Sequence, residues 1–197
     1  MTARIVLIAH GATQAQRQAA FPLDEPIAGP EMAKIAAQRW SCPKAERIWS
    51  APEQRAQQTA CALGLTAMLA EELRDCDYGQ WHGRAMEQVQ AEDPEGILAW
   101  LADPAAAPHG GESIEHLIRR IGAWLGGQRG VKSTIAVTHP AVIRSAIVHA
   151  LHIPAQAFWR FDIAPLTVTD LRFSRNVWTV RCVGCSLAMQ GEAGNLE

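Results

Sequence analysis

The chain has 197 residues, 48% of them apolar and 19% charged, with a formal net charge of −2. That length suits one domain whose core needs neither disulfides nor a metal, and the composition excludes a disordered chain. The near-balanced charge gives no electrostatic case for binding nucleic acid or an anionic membrane.

The N-terminus passes straight into a strand, without the regions of a signal peptide. No apolar run approaches the roughly 20 residues needed to cross a bilayer. Five cysteines and no sign of secretion lead to the expectation of a reduced, cytoplasmic protein. Cys182 and Cys185 form a CxxC with no second pair, half of a zinc site, and read as incidental thiols. No metal and no cofactor is expected. The sequence is silent on oligomeric state.

Ile5 to Ala9 are all apolar and four are branched, as in a strand buried on both faces of a parallel sheet. His10 and Gly11 follow where that strand ends, and in open α/β sheets the ligand crevice lies beyond the carboxyl ends of the strands. Gln14–Ala20 reads as a short helix, 21–30 as a loop with three prolines, and Glu31–Trp40 as a helix. Arg47–Ser50 is a short strand. A helix is predicted from Ala51 to Leu63, with Ser50 as its cap and Glu53 completing a capping box.

Leu73–Gly83 reads as an ordered loop and Met86–Leu101 as a helix interrupted near Pro94. Asp103–Gly111 is a connection, and Ser113–Leu125 a helix with Ile114, Leu117, Ile118, Ile121 and Leu125 on one face. Thr134–His139 repeats the opening pattern, a buried strand ending in histidine, and Pro140–Leu151 follows as a helix. Leu166–Phe173 and Val177–Val183 alternate as strands joined at Ser174–Asn176. The expected fold is α/β: a three-layer α/β/α arrangement around a mostly parallel, doubly wound sheet with a C-terminal antiparallel hairpin. One domain should span residues 1–187, and 188–197 should be a loose tail.

Two strands far apart in sequence both end in histidine just before a helix. If they are neighbours, His10 and His139 meet at one edge of the sheet, and Arg55, one turn into its helix, reaches the same crevice. Two imidazoles, an arginine and helix N-termini point to a phosphate monoester site.

Several segments carry a resemblance to a known family. LIAHGAT (residues 7–13) resembles the RHG signature of the histidine phosphatase (phosphoglycerate mutase-like) superfamily. SAPEQRAQQTA (50–60) is similar to its S-x-x-x-R-x-x-Q-T-A segment, and LRDCDYGQWHG (73–83) to its L-x-E-x-x-[YF]-G-x-W-x-G loop. GGES (110–113) matches a GES element, and VTH (137–139) with VIR (142–144) resembles the second histidine block. The resemblance implies a metal-independent phosphomonoesterase acting on a small phosphorylated metabolite. In it His10 forms a phosphohistidine, and Arg55 and His139 hold the phosphoryl group. Gly11, Thr13 and Gln16 would contact phosphate, Gln16 replacing the commoner asparagine.

The resemblance also implies an acid for the leaving group. That position is Asp75, one methylene shorter than the usual glutamate, with Glu112 as the competing carboxylate. The RHG arginine is Ala9 here. Either Arg17 or His109 supplies the missing cation, or the chain is a weakened or non-hydrolysing relative that binds phosphate or another ligand. A phosphoglycerate mutase is a further alternative. Specificity should come from loops 21–30, 76–84 and 103–111, through Trp81, His82 and His109.

Overall fold

The computed structural model describes residues 2–37, 40 and 42–187. Strand β1 (Ala3–Ala9) runs through the centre of a six-stranded sheet, and Ile5 to Ala9 are completely buried. A continuous branched-aliphatic run is what a strand covered on both faces requires. Strands β2 (Arg47–Ser50), β3 (Met68–Leu69), β4 (Ser133–Thr138), β5 (Thr167–Ser174) and β6 (Val177–Ser186) complete the sheet in the order β3-β2-β4-β1-β5-β6. The pairs β1/β4, β2/β4 and β2/β3 are parallel, whereas β5 joins β1 and β6 in antiparallel fashion.

Helices α1 (Gln14–Arg17), α2 (Gly29–Ala37), α3 (Gln54–Ala62), α4 (Met86–Glu92), α5 (Pro94–Ala102), α6 (Ile114–Gly127) and α7 (Pro140–Leu151) fill the connections. Helix α6 packs on α7, and α2 on α3, so the fold is the expected three-layer α/β/α type. Among the described residues, no helix is long and apolar enough to cross a membrane.

Some boundaries differ from the sequence reading. Helix α3 starts at Gln54, not Ala51, and Ser50 does not cap it: its hydroxyl donates to Ala51 O. Glu53 stands at the N-cap, but its carboxylate is committed elsewhere. Helix α1 ends at Arg17, and α2 spans 29–37, with Trp40 outside it; residues 38, 39 and 41 and the expected tail 188–197 lie outside the described residues. The two-residue strand β3 was too short to leave a period-2 pattern. Asp93 divides α4 from α5 by accepting from Gly96 N, and Arg175 and Asn176, both left-handed, form the hairpin turn.

The parallel register of β1 on β4 matters most for function. Ala9 pairs with Thr138, and His10 N donates to Thr138 O at 3.0 Å, so both strands end at one level. Thr138 Oγ1 donates to Leu73 O at 2.8 Å, tying the segment before Asp75 to that same edge. Loop 77–79 meets loop 109–111 backbone to backbone, with Gln80 N on His109 O and Glu112 N on Asp77 O. Gly79, at φ +47, permits this approach, since a Cβ there would strike the His109 carbonyl.

Candidate active site

The ring centroids of His10 and His139 lie 5.1 Å apart, and both residues are buried. His10 Nδ1 is 2.8 Å from Gly11 O. A carbonyl only accepts, so Nδ1 carries the proton and Nε2 keeps a free lone pair. Burial, with the positive surroundings of His139 and Arg55, lowers the His10 pKa to about 3, and the imidazole is neutral at ordinary pH.

His139 is held from three sides. Its Nε2 is 2.8 Å from Glu53 Oε2, Arg55 Nε donates toward Nδ1 at 3.3 Å, and Asp75 Oδ2 is 3.4 Å from Nδ1. The Glu53 carboxyl is held below its ordinary value: burial raises it, but His139 and the Asp75 N–H outweigh that effect. The ionised Glu53 accepts from His139 Nε2–H. Glu53 Oε1 also accepts from Asp75 N at 2.9 Å. One carboxylate therefore orients both His139 and the start of the Asp75 turn. The sequence reading missed it by assigning Glu53 to a cap. Its position two residues before Arg55, in the same first turn, was the available signal.

Arg55, 2% exposed, donates through Nη1 to Leu23 O and through Nη2 to Asp75 Oδ2 at 2.8 Å, with Glu25 3.9 Å away. Burial raises the Asp75 carboxyl, yet His139, Arg55 and His10 together hold it below the usual aspartate value. Asp75 is thus ionised in the unliganded protein.

A cavity of about 250 Å³ opens on this group, lined by His10, Thr13, Gln16, Arg55 and Asp75 together with Tyr78, Arg144, Phe158 and Trp159. Pro140 and Ala141, at the start of α7, also line it, so the N-terminus of that helix borders the cavity. Thr13 and Gln16 form a reciprocal cap on α1: Gln16 N donates to Thr13 Oγ1 and Thr13 N to Gln16 Oε1. A second cavity, of about 380 Å³, lies across Arg55 and Asp75 and includes Glu53 and His82 but not His10. Among the described residues, no group of three acidic, histidine or cysteine side chains is arranged to hold a metal ion.

Other expected residues are engaged away from the cavity. Gly11 N donates to Thr59 Oγ1 and is not available to an anion. Arg17 pairs with Glu31 at 3.0 Å and is half exposed, so it does not fill the space of a missing arginine. His109 does not either: it is buried against Trp81, its Nδ1 accepts from Gly111 N, and burial lowers its pKa. Trp81 packs with Phe21 and Trp100 in a separate aromatic cluster instead of facing a ligand. Glu112 makes a two-pronged pair with Arg120 at 2.9 and 2.6 Å. Arg120 in turn donates to Glu72 O, Arg74 O and Asp75 O, so Glu112 braces the Asp75 segment from behind. Ala9 is wholly enclosed in the core.

The sequence profile of the histidine phosphatase superfamily (branch 1) matches residues 5–186. Phosphoserine phosphatase 1 of Hydrogenobacter thermophilus is 27% identical over 169 residues, covering 81% of this chain and 80% of its own. A glucosyl-3-phosphoglycerate phosphatase of Mycolicibacterium vanbaalenii is 27% identical over 211 residues, covering 89% and 93%. The crystal structure of the alpha-ribazole phosphatase from Shigella flexneri superposes with a TM-score of 0.79 at 24% identity, covering 94% of this chain and 97% of that one.

Proposed function

The chain belongs to the histidine phosphatase superfamily and is a phosphoric monoester hydrolase, and we propose that it hydrolyses a small phosphorylated metabolite through a phosphohistidine at His10. The observation that carries this reading is the tautomer of His10. The bond to Gly11 O fixes the proton on Nδ1, which leaves a neutral, unshared lone pair on Nε2 of a ring that lines the cavity. Nε2 attacks phosphorus, the ester P–O bond breaks, and the leaving oxygen takes a proton. Water then attacks the phosphohistidine, releasing phosphate and restoring the imidazole.

Arg55, His139 and the first-turn N–H groups of α7 stabilise the charge on the phosphoryl oxygens. In the unliganded protein Arg55 spends three of its N–H groups on Leu23, Asp75 and His139, leaving two for the substrate. The general acid is Asp75. A dianionic phosphate entering beside it competes for Arg55 and raises its pKa, so the proton is acquired as substrate binds. Glu112, clamped by Arg120, keeps this carboxyl in place. The size of the cavity and the named relatives support a small metabolite as substrate. No step requires a metal ion.

The test is hydrolysis of a panel of phosphate monoesters by the wild type and His10→Ala, with and without EDTA. Turnover that resists EDTA and is abolished in the variant is expected. Equal turnover by the two proteins would overturn the reading.

A further inference from the structure

At the end of β1 opposite His10, the sheet carries a row of cations. Arg4 on β1 pairs in register with Arg172 on β5, and Arg172 in turn with Thr179 on β6. Lys132 directly precedes β4, and its carbonyl accepts from Arg4 N at 3.0 Å. These residues and Arg181 line one cavity of about 390 Å³. Arg4 stands six residues before His10, roughly 20 Å along an extended chain, and no residue lines both this cavity and that of His10.

Like charges directly opposite each other on neighbouring strands repel. One carboxylate offsets Arg4 and Arg172 together: Asp170 Oδ2 accepts from Arg4 Nε at 3.1 Å, and Oδ1 from Arg172 Nε at 3.3 Å. Those bonds orient both guanidiniums, yet neither Nη of Arg172 has a partner among the described residues. Arg181 and Lys132 have no carboxylate within ion-pairing distance among the described residues. Glu46 takes the Lys132 backbone N–H at 3.1 Å, not its ammonium. Four cations thus meet one paired carboxylate, a local excess of three positive charges in a chain whose net charge is −2. Such clustering raises the local potential and favours a multiply charged anion.

The cations come from the same end of four adjacent strands, β4, β1, β5 and β6. Three inter-strand spacings separate the first from the last, about 14 Å, a span that suits several linked phosphates better than one. Three excess charges likewise exceed what a lone phosphate balances, and arginine forks match paired phosphate oxygens. We propose that this end of the sheet is a second ligand site, apart from the catalytic one, and that it binds an oligophosphate, free or carried by a nucleotide.

Backbone amide NMR signals of the isotope-labelled protein test this, followed through titrations with tripolyphosphate, ATP and orthophosphate at constant ionic strength. Tripolyphosphate should shift the signals of Arg4, 172–174 and 179–181 saturably, and bind there about 10- to 100-fold more tightly than orthophosphate. ATP binding no tighter than tripolyphosphate assigns the site to a free oligophosphate, and tighter ATP binding assigns it to a nucleotide. Arg181→Gln, which breaks no ion pair among the described residues, should weaken tripolyphosphate binding by about 10-fold and leave the signals around His10 unchanged. Arg172→Gln should weaken it at least as much. The assignment is overturned if the anions shift only the signals around His10, if tripolyphosphate and orthophosphate bind equally well, or if both variants bind as the wild type does.

Discussion

His10 and Asp75 are ionisable groups whose surroundings push them to opposite tasks. His10 is kept neutral by burial and by nearby positive charge, with its proton on the nitrogen facing Gly11 O. Between pH 6.5 and about 3 the unfolded chain binds a proton that the folded site refuses, so this site loses stability as pH falls through that window. Urea unfolding at pH 7 and pH 4.5 should therefore show a larger loss for the wild type than for His10→Gln. Equal losses would mean that His10 titrates normally. On the proposed mechanism Asp75 faces the reverse requirement: ionised before substrate binds, it would carry a proton afterwards. Asp75→Asn should cost on the order of 10²- to 10³-fold in kcat on alkyl phosphates and far less on an aryl phosphate, whose leaving group needs no proton. A uniform loss on both would assign Asp75 to phosphate binding instead. Glu53 orients His139 and Asp75 without entering the His10 cavity, so Glu53→Gln should lower kcat by about 10- to 100-fold with little change in KM. Steady-state kinetics on one ester decides that point.

At the scale of elements, one side chain collects three carbonyls of the segment 72–75. Arg120 on α6 reaches three of its carbonyls and is itself paired with Glu112, both side chains being largely buried. Removing one partner of such a pair strands a charge and costs about 3 kcal/mol or more. For a chain of this size that corresponds to a fall of roughly 6–12 °C in Tm for Arg120→Ala, read by thermal melting. Glu112 is legible in the sequence as a carboxylate near the site, but its partner is not, because Arg120 lies on a helix whose visible pattern is its apolar stripe. The same limit explains Arg17 and His109. Each stands at a suitable distance along the chain, yet local ion pairing with Glu31 and packing on Trp81 direct them elsewhere.

For the whole molecule, two buried strands ending in histidine were sufficient to anticipate that His10 and His139 meet, because parallel pairing of β1 and β4 aligns their carboxyl ends. Hydrophobic runs report such strands directly, and His10, Arg55, Asp75 and His139 do meet there. What sequence patterns leave hidden is the convergence on the cavity of Phe158 and Trp159 with Tyr78 and Arg144, which come from three separate segments and meet only when the sheet and α7 are assembled. Ala9, where the resembling signature has arginine, is enclosed in the core. On the proposed reading the site works with Arg55, His139 and the start of α7. The central claim is that it does so by covalent catalysis at His10. The direct measurement is rapid acid-free quenching of turnover with a 32P-labelled ester, followed by peptide mapping of base-stable, acid-labile phosphate. The account predicts label on the His10 imidazole of the wild type, chased by water, and none in His10→Ala. Hydrolysis without any label on His10, at the same rate in the variant, would contradict it.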